Sequence, residues 1–99
     1  MKKVISTANA PAAIGPYSQG IDGGAVVITS GQLPIDPATG VFAEGGVAGQ
    51  TRQSLLNVQA VVAEAGLTMD HVIKTTVFLK DMNDFADMNQ TYGTFFEKD

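Results

Sequence analysis

The sequence predicts a small α/β (α+β) domain with the element order β-β-β-α-β-α, and three observations predict it. Short β-rich runs broken by glycine and proline fill the first third. Apolar residues then recur at spacings of three and four between residues 46 and 67. A β-branched run over 71–81 follows, and after it an aromatic stripe again at helical spacing.

The elements come in order. "VIST" (4–7) reads as a short strand, and "ANAPAAIGP" as a connection broken by Pro11 and Pro16. "YSQGID" and "AVVITSG" are two β-rich runs with Asp22-Gly23-Gly24 between them. That is a hairpin signal, because glycine supplies the positive φ that tight hairpin turns demand. In "LPIDPATGVF", Asp36-Pro37 with Gly40 reads as a turn before a short return segment.

From "GVAGQTRQSLLNVQAVVAEAGL" the period predicts a helix. Leu55, Val58, Val62 and Ala65 form its apolar stripe; Arg52, Gln53, Asn57 and Glu64 lie largely off it. Gly66-Leu67 is a stop signal, glycine taking the left-handed conformation and the leucine folding back. "HVIKTTVFLKD" (71–81) reads as a strand, with Ile73, Thr75, Val77 and Leu79 facing a helix layer. Lys74, Thr76, Phe78 and Lys80 share the other face, suited to solvent or a partly polar subunit interface. "DMNDFADMNQTYGTFFEKD" predicts a second helix with Phe85, Met88, Tyr92 and Phe95 in a stripe. Asp81 is its N-cap, and Asp84 and Asp87 lie near the positive end of its dipole.

Ninety-nine residues make one domain with a shallow core. A net charge of −4, with Arg52 the sole arginine and the lysines scattered, argues against a nucleic-acid surface, which needs clustered cations. No apolar run approaches the roughly 20 residues that span a bilayer. The start "MKKVISTANAP" lacks the apolar stretch of a signal peptide. Without cysteine there is neither a disulfide framework nor thiolate chemistry, and the single histidine, His71, offers no His-rich metal site. An intracellular, cofactor-free protein is the expectation.

Taken singly, the polar candidates have bland readings. Tyr17 after Pro16 packs over a turn or walls a site. Ser30-Gly31 ends a predicted strand and is ordinary turn chemistry. Asn89 reads as a solvated helix residue, and Asp70-His71 as an exposed pair. Met69, Met82 and Met88 read as core or rim packing. "AEGGVAG" (43–49) precedes a helix but lacks phosphate-loop spacing, so a flexible loop is the better reading. No two carboxylates can be placed face to face. Lys74 and Lys80, on one strand face, read as charged rather than as Schiff-base formers.

Together the segments say more. "NAPAAIGPYSQG", "VITSGQLPIDPATG", "QSLLNVQAVVAEAGL" and "VIKTTVFLKDMNDFADMNQTYGTFF", in this order and spacing, resemble the RidA (YjgF) family of reactive-intermediate deaminases from about residue 3 to residue 96. The resemblance implies a chorismate-mutase-like fold, a mixed sheet with two helices on one face, assembled as a homotrimer with ligand sites between subunits. It implies a cytoplasmic hydrolase that converts enamine/imine intermediates (2-aminoacrylate, 2-iminopropanoate, 2-iminobutanoate) to 2-keto acids and ammonia without a cofactor or metal. It places Tyr17 as a pocket wall, Ser30 and Gly31 as the lining after the strand, and Asn89 nearby on the second helix. On the same resemblance, Tyr17 and Asn89 are expected to carry the catalytic roles, and Tyr17, Ser30, Gly31 and Asn89 to bind substrate.

The sequence departs from the family pattern at one end. The family's carboxylate-binding arginine and water-positioning acid belong to strands that would follow Asp99, and Arg52 matches a different position. The expectation is therefore a single RidA-like domain over 1–99, C-terminally incomplete, with weak or no deaminase activity and a compromised trimer in the short form. Two other readings accompany it: a non-catalytic trimer that binds small carboxylates, and a ribonuclease or translation inhibitor, which the acidic charge disfavours.

Overall fold

A computed structural model of the chain describes residues 1–96. Strands β1 (Lys3–Ile5), β2 (Gly20–Asp22) and β3 (Val27–Thr29) form a sheet in the order β1-β2-β3. Both ladders are antiparallel, Val4 opposite Ile21 and Ile21 opposite Ile28. The described strands thus supply only the antiparallel part of the mixed sheet that the sequence reading anticipates. Helices α1 (Gly46–Glu64) and α2 (Phe85–Tyr92) complete the fold, α1 packing against both β3 and α2. None of the described helices is long and apolar enough to cross a membrane.

The glycine-led turns form as expected. Gly23 N–H bonds to Val26 O at 2.9 Å, Asp22 Oδ1 accepts from Gly24 N–H at 2.8 Å, and Gly24 takes φ +95°. In the second turn, Asp36 Oδ1 accepts from Ala38 N–H at 2.8 Å and Ile35 bridges to Phe42. Beyond the end of helix α1, Gly66 takes φ +84°, where Leu67 N–H reaches Val62 O at 3.1 Å and Gly66 N–H reaches Ala63 O at 2.9 Å. This double closure satisfies carbonyls the helix would otherwise leave open. At its other end Gly46 and Gly49 belong to the first turn of α1, so the glycine-rich stretch is helix start as much as loop.

The core is small, with Ile5, Ala10 and Val61 at its centre and Val27, Ala60 and Ala65 against them. It corrects the predicted stripe. Val61 and Asn57 are fully buried, and Val58 only partly. Because α1 has neighbours on two sides, it buries two adjacent rows of side chains rather than one. Gly20 lets the sheet approach α1 closely, since a Cβ there would lie 2.7 Å from Val61 Cγ1 and 3.3 Å from Ile28 O.

Residues 72–80 depart from the reading of 71–81 as a strand. His71 closes a 3-10 turn (Met69–His71), and the residues beyond it join no ladder among the described residues. Alternation persists nonetheless: Thr75, Val77 and Leu79 line a groove with α2, Val77 still 45% exposed, while Lys74, Thr76, Phe78 and Lys80 lie outside that groove and are exposed. Ile73 does not line that groove and is 87% exposed. β-propensity sets an extended, alternating backbone locally; a strand also needs a partner for its amides. Asp70 and His71 are both exposed, as the sequence reading has them, and the imidazole of His71 serves the backbone. Its Nδ1 accepts from Thr68 N–H at 3.0 Å, completing a capping box.

The second helix is shorter than the sequence pattern. Asp81 Oδ1 accepts from Asn83 N–H at 2.9 Å, capping a 3-10 turn (Met82–Asp84) that leads into α2. Gly93 is the C-cap of α2 rather than an interior residue. Tyr92 and Phe96 continue the stripe with ring centroids 4.8 Å apart, and Glu97–Asp99 of the predicted helix lie outside the described residues.

Candidate active site

Tyr17 sits on a loop between β1 and β2. Gly15, at φ +117°, turns the chain, and Tyr17 N–H bonds to Gly15 O at 2.9 Å. The ring is half exposed, and its hydroxyl bonds to no described residue.

Ser30 follows the end of β3 and is tied back to the same loop. Its N–H and its Oγ–H both bond to Gln19 O, at 2.9 and 3.2 Å. Gln32 Nε2 donates to Ser30 Oγ and Ser30 O, each at 3.3 Å. The serine hydroxyl thus has a carbonyl and a carboxamide as its partners. Neither accepts a proton readily, so this geometry orients Ser30 as a donor–acceptor rather than activating it as a nucleophile. Gly31 is exposed, and a Cβ there would meet nothing within 4 Å. No packing inside this chain requires a glycine at that position.

Asn89 lies elsewhere. It lines a groove of about 260 Å³ with Thr75, Val77 and Leu79 on one wall and Met82, Phe85, Met88 and Tyr92 on the other. Thr75 Oγ1 and Tyr92 Oη share a hydrogen bond of 2.7 Å inside it. The structure therefore ties Ser30 to Gln19, two residues along the chain from Tyr17, and leaves Asn89 in a groove that Tyr17, Ser30 and Gly31 do not line.

Two buried carboxamides escape the sequence reading. Gln19, 3% exposed, bonds to the backbone of residues 7–11 on one side of Ser30-Gly31. On the other side Asn57, 0% exposed, donates to Leu33 O at 3.0 Å and Ile35 O at 2.9 Å and accepts from Gln53 Nε2. Asn57 lies four residues before Val61, in the second row that α1 buries, and this spacing is the signal that was legible for it. Among the described residues no three His, Cys, Asp or Glu side chains gather where they could hold a metal ion.

Comparison with known proteins places this architecture. The family model described as Endoribonuclease L-PSP matches residues 7–99. The 2-iminobutanoate/2-iminopropanoate deaminase of Salmonella typhimurium is 62% identical over 96 residues, covering 97% of this chain and 74% of that protein. Among solved structures, Escherichia coli TdcF with bound serine superposes with a TM-score of 0.92 at 52% identity, covering 96% of this chain and 74% of that one. The YjgF gene product of Escherichia coli superposes at 0.91 and 58% identity, covering 95% and 73%. Such likeness carries the chorismate-mutase-like fold with it. On its sequence, its fold and the family match alike, the chain belongs to the Endoribonuclease L-PSP family, the RidA (YjgF) group of proteins.

Proposed function

We propose that the chain is a hydrolase that deaminates reactive enamine and imine intermediates, 2-aminoacrylate, 2-iminopropanoate and 2-iminobutanoate among them, to 2-keto acids and ammonia. The observation that carries this is the 62% identity to a 2-iminobutanoate/2-iminopropanoate deaminase across 97% of the chain. In the reaction the enamine takes a proton at carbon to give the imine. Water then adds to the C=N carbon and a proton passes to nitrogen. The resulting aminoalcohol collapses, expelling ammonia as the C=O bond forms. Imines are already electrophilic, so holding water and substrate in line supplies much of the acceleration.

In this reading Tyr17 and Asn89 act in catalysis, steadying water and the moving proton with their hydroxyl and carboxamide groups. Ser30, Gly31, Tyr17 and Asn89 bind the substrate, Gly31 leaving room for close approach to its main chain. Support comes from the bonds of Ser30 to Gln19 O, two residues along the chain from Tyr17, and from the open space at Gly31. The same reading makes the working unit a cytoplasmic homotrimer with sites between subunits. It is supported by the separation of Asn89 from the Ser30 side and by the 92% exposure of Phe78. No nucleic acid, membrane, metal or cofactor takes part.

The test adds the purified chain to a pyridoxal-phosphate-dependent dehydratase acting on serine or threonine and follows keto-acid release. Faster release is expected. Keto-acid binding with unchanged release would favour the second reading, a small-carboxylate-binding trimer, which the bound serine in the TdcF structure favours. The ribonuclease reading has the family description and the endoribonuclease naming of two similar structures behind it. Salt-sensitive RNA binding near physiological ionic strength would support it, against the net charge of −4.

A further inference from the structure

We propose that Gln19 is a positioning residue for this reaction, its buried carboxamide closing the loop that presents Tyr17 while its carbonyl holds Ser30. The inference rests on the deaminase reading and on Tyr17 and Ser30 sharing its site.

The carboxamide of Gln19 treats Thr7 as a neighbouring strand would. Oε1 accepts from Thr7 N–H at 2.7 Å and Nε2 donates to Thr7 O at 3.0 Å. Nε2 also reaches Ala10 O at 3.2 Å and Pro11 O at 2.7 Å. One side chain thereby forms the neck of a loop running from Thr7 to Gln19, a compact surface loop with its ends held together. Beyond the neck, residues 12–18 are partly or largely exposed, and the one hydrogen bond described among them is Tyr17 N–H to Gly15 O. The place of Tyr17 is therefore set mainly at the neck.

The same residue reaches the other half of the site. Gln19 O accepts both Ser30 N–H and Ser30 Oγ–H. That tie is a main-chain one next to the Gly20–Thr29 pair, so the side chain's hold on the loop passes through the backbone of residue 19 to the end of β3. Here side chain and main chain of one residue fix the offset between the Tyr17 loop and the end of β3. Only a carboxamide of this length offers the acceptor and the donors together; a glutamate carboxylate keeps the acceptor and loses both donors.

A double-mutant cycle on imine hydrolysis tests this, with Gln19→Met, Tyr17→Phe and the double variant, each checked for folding by thermal unfolding. Leu55→Val, a core change in α1, calibrates the effect of lost stability alone. Gln19→Met is expected to lower kcat/KM by about 10- to 100-fold, mostly in kcat, because misplacing a reacting group by about 1 Å costs on the order of a hundredfold. In the Tyr17→Phe background the same change is expected to cost little, since coupled residues are not additive. If Gln19→Met does not fold, Gln19→Glu, which keeps the acceptor for Thr7, runs through the same cycle with the same expectation. An equal fold loss in both backgrounds would overturn the positioning role and leave the deaminase reading standing. A Tyr17→Phe variant as active as the parent would overturn the role of Tyr17 and this inference together. No imine hydrolysis by the parent chain would overturn the proposed function and this inference with it.

Discussion

The carboxamide of Asn57, wholly buried in the middle of α1, donates to Leu33 O at 3.0 Å across 24 residues of sequence. A second bond to Ile35 O, at 2.9 Å, makes the contact a clamp on the loop that follows Ser30-Gly31. Replacing Asn57 with leucine fills the space but leaves two carbonyls and the Gln53 amide without their partner. The expected cost is about 1–3 kcal/mol, the penalty for partly buried polar groups left unpaired. Urea unfolding measures it, and a midpoint equal to the parent's would show that water replaces the clamp freely.

Gly20 and Val61 test how closely α1 lies on the sheet. With a Cβ at Gly20 only 2.7 Å from Val61 Cγ1, Gly20→Ala overpacks the core centre. A loss of about 1–3 kcal/mol is expected. Gly20→Ala combined with Val61→Ala should lose less than the two single losses added, since the second change removes the clashing methyl. Strict additivity in thermal unfolding would contradict the contact.

Gly31 separates folding from binding. A Cβ there meets nothing in this chain, so Gly31→Ala is expected to shift stability by less than about 0.5 kcal/mol. If Gly31 leaves room for substrate, the same variant weakens binding of a 2-keto acid such as 2-oxobutanoate, as read by calorimetric titration. Unchanged affinity would remove Gly31 from the site.

Thr75 and Tyr92 hold the extended segment to α2 through one hydrogen bond of 2.7 Å. Thr75→Val keeps the shape and deletes the bond, for a loss of about 0.5–1.5 kcal/mol. Amide hydrogen exchange should then accelerate over 72–80 more than in the β1-β2-β3 sheet. Uniform acceleration across the chain would place the anchor of that segment elsewhere.

Local pattern made much of this protein legible. Asp22-Gly23-Gly24 and Asp36-Pro37 specify their turns through side-chain oxygens and positive φ, within four or five residues of chain. Gly66-Leu67 ends α1 by the same kind of short-range closure. The motifs around Tyr17, Ser30, Gly31 and Asn89 were enough to point to the family, which the match over residues 7–99 then bears out.

Partnership between distant segments was not legible. Residues 71–81 have the composition and alternation of a strand, yet pairing depends on what lies alongside, and 72–80 is extended without a ladder among the described residues. The second buried row of α1, through Asn57 and Val61, appears only because the helix has both a sheet and a helix as neighbours. Residue type alone reads Gln19 and Asn57 as surface, and only the four-residue spacing of Asn57 to Val61 hints otherwise. Their burial depends on carbonyls 8 to 24 residues away that accept their hydrogens, and without those partners burying an amide would cost more than it returns. The chain's periodicities therefore choose its helices and turns, while the closeness of Tyr17's loop to Ser30 follows from bonds that exist only once the sheet has formed.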